Sequence, residues 1–266
     1  MKHHVFNRRT LLLATAGLPL LSAHAQVHDM GDAINKAGRQ RMLSQRMGKA
    51  WLALVHGVEK PLAQQVLDKS LALFDRQLVE LKAFAASADI STTYAKLEAS
   101  WSAYKTALVG NTPSRDSAAA MLQLNAGVLA LAHLGTQQFE AVQSKPVGKL
   151  VNIAGRQRML SQRMAMYYLA ARLPVDAPVA TAEINKARTD FINAMAVLRQ
   201  APETSTKIQE QLQLVDGQWV FFDAALKRSN ASDAGSARAL GEIFMASENL
   251  LLVMDRVTGL YSALKT

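Results

Sequence analysis

The string Ala37-Gly38-Arg39-Gln40-Arg41-Met42-Leu43-Ser44-Gln45-Arg46-Met47 recurs without a single change at Ala154–Met164. The two copies start 117 residues apart (Ala37 and Ala154) in a chain of 266, so the protein reads as one unit written twice. Working outward, Trp101-x-x-Tyr104-x-x-Ala107-Leu108 is matched by Trp219-x-x-Phe222-x-x-Ala225-Leu226, now offset by 118. Nearly equal offsets imply helices of equal length joined by similar loops. Strand signals are nearly absent, and Ala, Leu, Gln, Lys and Arg favour helix throughout. Breakers such as Gly110-Asn111-Thr112-Pro113 and Leu173-Pro174 divide each half into four segments. The expected helices are 29–58, 61–86, 91–109 and 114–143, then 148–173, 178–199, 203–228 and 232–265. The fold class that follows is all-α: two tandem antiparallel four-helix (up-down-up-down) units related by pseudo-two-fold symmetry. The units are 26–145 and 146–266, joined near Ser144-Lys145-Pro146.

Residues 1–25 carry the marks of an export signal. Lys2 and Arg8-Arg9 form a basic start, Leu11–Leu21 an apolar run, and Ala23-His24-Ala25 a small-x-small cleavage site. The arginine pair fits a twin-arginine signal or a plain basic region. Removing this segment takes the net charge from +9 to +6, since it holds three basic and no acidic residues. The absence of cysteine excludes disulfides, thiolate metal sites and a cysteine nucleophile. No later segment is expected to be long and apolar enough for a membrane anchor. The mature chain is therefore expected in the periplasm, exported and soluble. Basic residues do not interleave with aromatics, so nucleic acid is not an expected partner.

Read as a helix, the first repeat puts Ile34, Ala37, Gly38, Arg41, Gln45 and Leu52 on one stripe, and the second puts Val151, Ala154, Gly155, Arg158, Gln162 and Leu169 on its counterpart. An arginine thus sits where a core residue belongs. Between Ala33 and Val58 there are five cations and no Asp or Glu, and the count is the same from Gly148 to Val175. The i, i+4 acid–base pairing of a surface helix is missing from both. A buried guanidinium without a partner costs several kcal/mol, so Arg41 and Arg158 need a carboxylate from elsewhere or a ligand. If pseudo-symmetry brings them about 6 Å apart, they repel by roughly 3 kcal/mol at an effective dielectric near 20. A monovalent anion about 4 Å from each attracts each by roughly 4 kcal/mol. Planar guanidinium forks suit a small planar oxyanion.

The pattern Asn35-x-Ala37-Gly38-x-x-Arg41-Met42-x-Ser44-x-Arg46, and its copy Asn152-x-Ala154-Gly155-x-x-Arg158-Met159-x-Ser161-x-Arg163, resembles the periplasmic box of NarX-type nitrate sensor kinases. It also resembles the PilJ-type N-terminal domain of type IV pilus chemoreceptors. The likeness is strong over the two boxes and weak but compatible elsewhere. It implies helical bundles that bind one nitrate between matching helices, chiefly through the arginine at Arg41 or Arg158. Gly38 and Gly155 would then give close backbone approach, with Asn35, Asn152, Ser44, Ser161, Arg46 and Arg163 as further residues of the ligand-binding set. The sensors of that family continue into transmembrane and signalling segments, and this chain is expected to lack them after Thr266.

The plain structural alternative for Arg41 and Arg158 is an interhelical salt bridge with an acid such as Asp75, Glu98, Asp216 or Glu248. Solvated or helix-packing charge is the simpler reading of Arg39, Arg46, Arg156 and Arg163, and a back-bond to its own helix is as good a reading of Ser44 and Ser161. The methionines of the repeats read as core. His28, His56 and His133 are isolated, so no metal site or cofactor is expected. No Ser-His-Asp order, phosphate loop or paired carboxylates suggests an enzyme. The expectation is a periplasmic sensor-like protein that binds a small oxyanion, nitrate or nitrite, without its own output domain and with a membrane sensor or receptor as partner. The alternative is an interaction or scaffold protein whose basic helices dock an acidic partner and bind no ligand.

Overall fold

The structure is a computed structural model, and it describes residues 26–110, 112–143, 145–228 and 232–264. The export signal expected over 1–25 lies outside the described residues. Among the described residues there are eight helices: α1 Met30–His56, α2 Lys60–Ala83, α3 Ala88–Val109, α4 Ala118–Gln143, α5 Pro146–Ala170, α6 Ala177–Gln200, α7 Thr206–Lys227 and α8 Ala237–Ser262.

Most boundaries fall where capping chemistry puts them. Asp29 accepts from the Asp32 amide at 2.8 Å to open α1, and Gly57 closes it in the left-handed region at φ 71°. Pro146 sits in the first turn of α5, which therefore begins two residues earlier than expected. Three starts come later than expected, those of α4, α7 (Thr206 against 203) and α8. Residues 114–117 form their own turn, with the Ser117 amide on the Ser114 hydroxyl at 3.3 Å, so α4 begins at Ala118. Ser236 caps the Ala239 amide at 3.2 Å, which sets the start of α8 at Ala237.

The architecture is the expected all-α one, built as two four-helix units. In the first, α1 packs on α2 and α4, and α3 on α2 and α4; in the second, α5 packs on α6 and α8, and α8 on α7. The halves meet chiefly through α1 against α5, with α1–α8 and α4–α5 flanking that seam. α1 and α5 run parallel, because their contacts advance together along both. Gln45 meets Arg163, a side chain at Gly48 would meet Met166, and His56 meets the Leu169 carbonyl. Each helix is covered by neighbours on nearly every side. From Ala33 to Ala53 only Arg39 and Arg46 escape full burial. The members of both predicted stripes are buried, as part of a wider buried surface.

The two halves repeat each other in detail. Trp101 stacks on Phe74 with ring centroids 4.1 Å apart, and Trp219 on Phe191 at 4.4 Å. Gln40 donates to the Phe74 carbonyl at 3.2 Å, and Gln157 to that of Phe191 at 2.8 Å. Each carboxamide thus ties its box helix to the neighbouring helix through one donor, while among the described residues its Oε1 is buried without a partner.

One expectation needs correction. α4 is long and apolar enough to cross a membrane by length and composition, with a window of mean hydropathy 1.4 that is 33% buried. Its apolar character serves packing on one side, where Met121, Val128, Ala132 and Phe139 face the bundle. Leu134 and Val142 on its other side are exposed.

Candidate functional site

α1 and α5 pass close to one another at Gly38 and Gly155. A Cβ on either glycine would lie 3.9 Å from the Cα of the other. The same Cβ on Gly38 would lie 3.2 Å from the Arg41 Nη2 and 3.6 Å from the Arg158 Nη2. Both guanidinium groups therefore fold back over the glycine pair and converge on one spot. Each also reaches across the seam. Arg41 Nη2 donates to the Asn152 Oδ1 at 2.7 Å and to its carbonyl at 3.3 Å; Arg158 Nη2 donates to the Asn35 Oδ1 at 2.9 Å and to its carbonyl at 3.1 Å. Six of the ten predicted residues are thus assembled at one point: Arg41, Arg158, Gly38, Gly155, Asn35 and Asn152.

The remaining four stand one turn away and are engaged elsewhere. Ser44 and Ser161 donate to the carbonyls of Arg41 and Arg158, each at 2.8 Å, and accept from Gln45 and Gln162. Arg46 pairs with Glu248, which also takes Lys49 at 2.7 Å. Arg163 pairs with Glu183 at 2.8 Å and donates to the Gln45 Oε1 at 3.1 Å. Arg39 and Arg156 find Asp255 at 3.0 Å and Asp190 at 2.7 Å. The carboxylates missing from both boxes are therefore supplied largely by other helices.

Here the symmetry breaks. Arg158 Nη1 donates to Asp255 on α8 at 2.5 Å. The corresponding Arg41 Nη1 meets the His133 Nδ1 on α4 at 3.2 Å instead. Arginine carries only donors, so this His133 nitrogen must be the unprotonated one. Arg41, Lys49 and Arg158 are all fully buried, and among the described residues only Arg41 of the three has no carboxylate within 4 Å. Its nearest negative charge acts through Asn152, whose amide donates to Glu140. Among the described residues, the Nε atoms of Arg41 and Arg158 are buried without a partner.

The electrostatics follow from this. Burial first, then the neighbouring Arg158 and Arg156, push Arg41 down to about 9. Arg158 is also lowered by burial, with Asp255 opposing, to about 10. Both remain cations at neutral pH. Burial would raise the Asp255 carboxyl, but Arg158 and Arg39 outweigh it and hold it at about 2. Burial, reinforced by Arg41 and Arg156, lowers His133 to about 4, so it is neutral.

Sequence reasoning missed His133, Asp255 and Glu140. The acids it offered as partners are bound to others: Asp75 to Lys105, Glu98 to Lys82, Asp216 to Arg199 and Glu248 to Arg46 and Lys49. The lost signal was register. Gln45 meets Asn125 while Gln162 meets the Ser247 carbonyl, and Arg41 meets His133 while Arg158 meets Asp255. Both comparisons relate α4 to α8 by 122 positions, whereas the repeated boxes are 117 apart.

The family model for the type IV pili methyl-accepting chemotaxis transducer N-terminal domain (PilJ) matches residues 23–126 and again 141–242. No curated protein and no solved structure matches the chain. With a family match in each half and two helical units packed through their shared motif, this chain belongs to the family of type IV pili methyl-accepting chemotaxis transducer N-terminal domains.

Proposed function

We propose that this sensor-family chain binds a small planar oxyanion, nitrate or nitrite, at the crossing of α1 and α5, with Arg41 and Arg158 as its principal donors. The observation that carries the reading is Arg41, a fully buried guanidinium whose direct partners are all neutral. An anion about 4 Å from it gains roughly 4 kcal/mol of attraction at an effective dielectric near 20. Binding exchanges neutral amide oxygens of Asn35 and Asn152 for anionic ones on the same Nη2 donors. Two boxes in one chain supply both arginines, so the site needs no second copy. The chain is read as units 26–145 and 146–266 behind a cleaved export signal, placing it in the periplasm. A membrane sensor or receptor is the partner that would read the bound state.

The alternative of basic helices docking an acidic partner loses support. α1 and α5 are central rather than exposed, and Arg46, Lys49, Arg156 and Arg163 already hold carboxylates of this chain.

The test is thermal unfolding with nitrate, nitrite, chloride and sulfate at constant ionic strength. Nitrate at about a hundred times its Kd should raise the melting temperature by roughly 5–10 °C. Arg41→Gln should remove that rise. An equal response to all four salts, or a nitrate response that survives Arg41→Gln, rejects the proposal.

A further inference from the structure

The seam has two grooves related by the pseudo-symmetry, and they are not alike. One lies over α1 between α8 and α2. There Glu248 reaches across to Arg46 and Lys49, and Asp255 to Arg39 and Arg158, so carboxylates bridge the groove. The other lies over α5 between α4 and α6. By the 122-residue register, Ala126 stands where Glu248 stands, and His133 where Asp255 stands. Neither carries a carboxylate, and a cavity of about 290 Å³ remains.

That cavity has two chemically distinct parts. Its apolar wall includes Leu129, Met159 and Leu160. Its charged part holds Arg41, Arg156, Arg163 and Lys186 against Glu183 and Asp190, four cations to two carboxylates. A second cavity of about 280 Å³ shares Arg41, His133 and Arg156 and continues toward Lys149, Asn152 and the Glu140 carboxylate, which leaves the two cavities together with five cations to three carboxylates. The neutral His133 tautomer that accepts from Arg41 leaves its Nε2–H as a donor. At about 290 Å³ the space lies at the small end of ligand pockets. A surplus of positive charge beside an apolar wall selects an anion with a hydrophobic body over a bare inorganic ion.

We propose that the α4–α5–α6 groove is a binding site for a small organic carboxylate with an apolar body. Its carboxylate meets Arg156 and the Nε2–H of His133, with the buried Arg41 guanidinium behind that ring, and its body lies on Leu129, Met159 and Leu160. This site lies to one side of the glycine crossing and shares only Arg41 with the oxyanion position, so it stands without the nitrate reading.

The test is calorimetric titration of the full chain with sodium benzoate at neutral pH and constant ionic strength. Acetate supplies the charge without the body, and benzyl alcohol the body without the charge. Benzoate should bind saturably, at least about tenfold more tightly than either control, a difference of roughly 1.4 kcal/mol. Ala126→Glu, which places a carboxylate where the other groove has Glu248, should abolish benzoate binding. Arg156→Gln and Leu129→Gln should each weaken it by about tenfold or more. All three positions are partly or fully exposed, and unchanged melting temperatures would show that the fold persists. The nitrate response should survive Leu129→Gln. Benzoate binding no tighter than acetate, an absence of saturation, or indifference to Ala126→Glu overturns the proposal. Benzoate binding without any nitrate response removes the oxyanion reading and leaves this one standing; the converse removes this one alone.

Discussion

At the scale of single residues, the two central arginines share a helix position and a cross-seam asparagine, yet they stand in opposite electrostatic circumstances. Arg158 has Asp255, while Arg41 has His133 and Asn152. Taking a charge out of water is costly, and neutral acceptors return only part of that cost. Replacing Arg41 with an apolar side chain of similar length should therefore leave the ligand-free protein no weaker. Arg41→Met is expected to be neutral or stabilising by roughly 1–3 kcal/mol in urea unfolding, while losing its response to nitrate. Arg158→Met removes a paired charge from Asp255 and should be destabilising by roughly 1–3 kcal/mol. If both variants lose stability equally, the asymmetry has no energetic meaning. A stability cost carried by a binding residue is the usual sign of a site held ready for its ligand.

At the scale of elements, each box helix is secured by polar contacts to the helices that flank it, and the two halves do this differently. Tyr104 on α3 donates to the Ser44 carbonyl at 3.0 Å and accepts from Asn125 at 2.9 Å. Asn125 also donates to that carbonyl at 2.7 Å and accepts from Gln45 at 2.7 Å. The second half has Phe222 where the first has Tyr104, and Gln162 goes to the Ser247 backbone instead. Tyr104→Phe should thus cost roughly 1–3 kcal/mol, because it strips a partner from Asn125 in a fully buried network. Chemical denaturation measures this directly, and a cost near zero would mean that Asn125 and Gln45 satisfy one another unaided. The helix ends belong to the same scale. Serines and aspartates at Asp29, Ser87, Asp176, Ser205 and Ser236 accept from the amide three residues on and set where these five helices begin.

At the scale of the whole molecule, burying α1 and α5 together ties stability to pH. His133 is lowered from 6.5 to about 4 by burial and by Arg41 and Arg156. Below 6.5 the unfolded chain therefore binds a proton that the folded chain refuses. Stability is complete above that value and falls as pH drops from 6.5 toward 4. His56 is also lowered, by burial above all, and adds to the same slope. Further down, Asp255 and Glu248, held at about 2 by their cations, lose their contribution as pH falls from their ordinary values toward 2. Melting temperatures across this range should decline below pH 6.5, and His133→Gln should flatten the first part of that decline. A melting temperature unchanged between 6.5 and 4 would contradict the placement of His133 against Arg41.

How much of this was legible in the chain itself divides along a physical line. The duplication, the helices and the inward arginines are local: they follow from an identical eleven-residue string, a 3.6-residue period and a scarcity of acids within a window of contiguous residues. Those features determined an all-helical, two-unit bundle and pointed to Arg41 and Arg158. Residues far apart in the chain decided the rest. Asp255 is 97 positions from Arg158, and His133 is 92 from Arg41. Their pairing depends on the rotation and register of α4 and α8 over the box helices, which no periodicity within either helix encodes. The tertiary structure alone therefore decided that one guanidinium is neutralised and its twin is not. Electrostatic energy depends on distances through space, and only packing sets those distances.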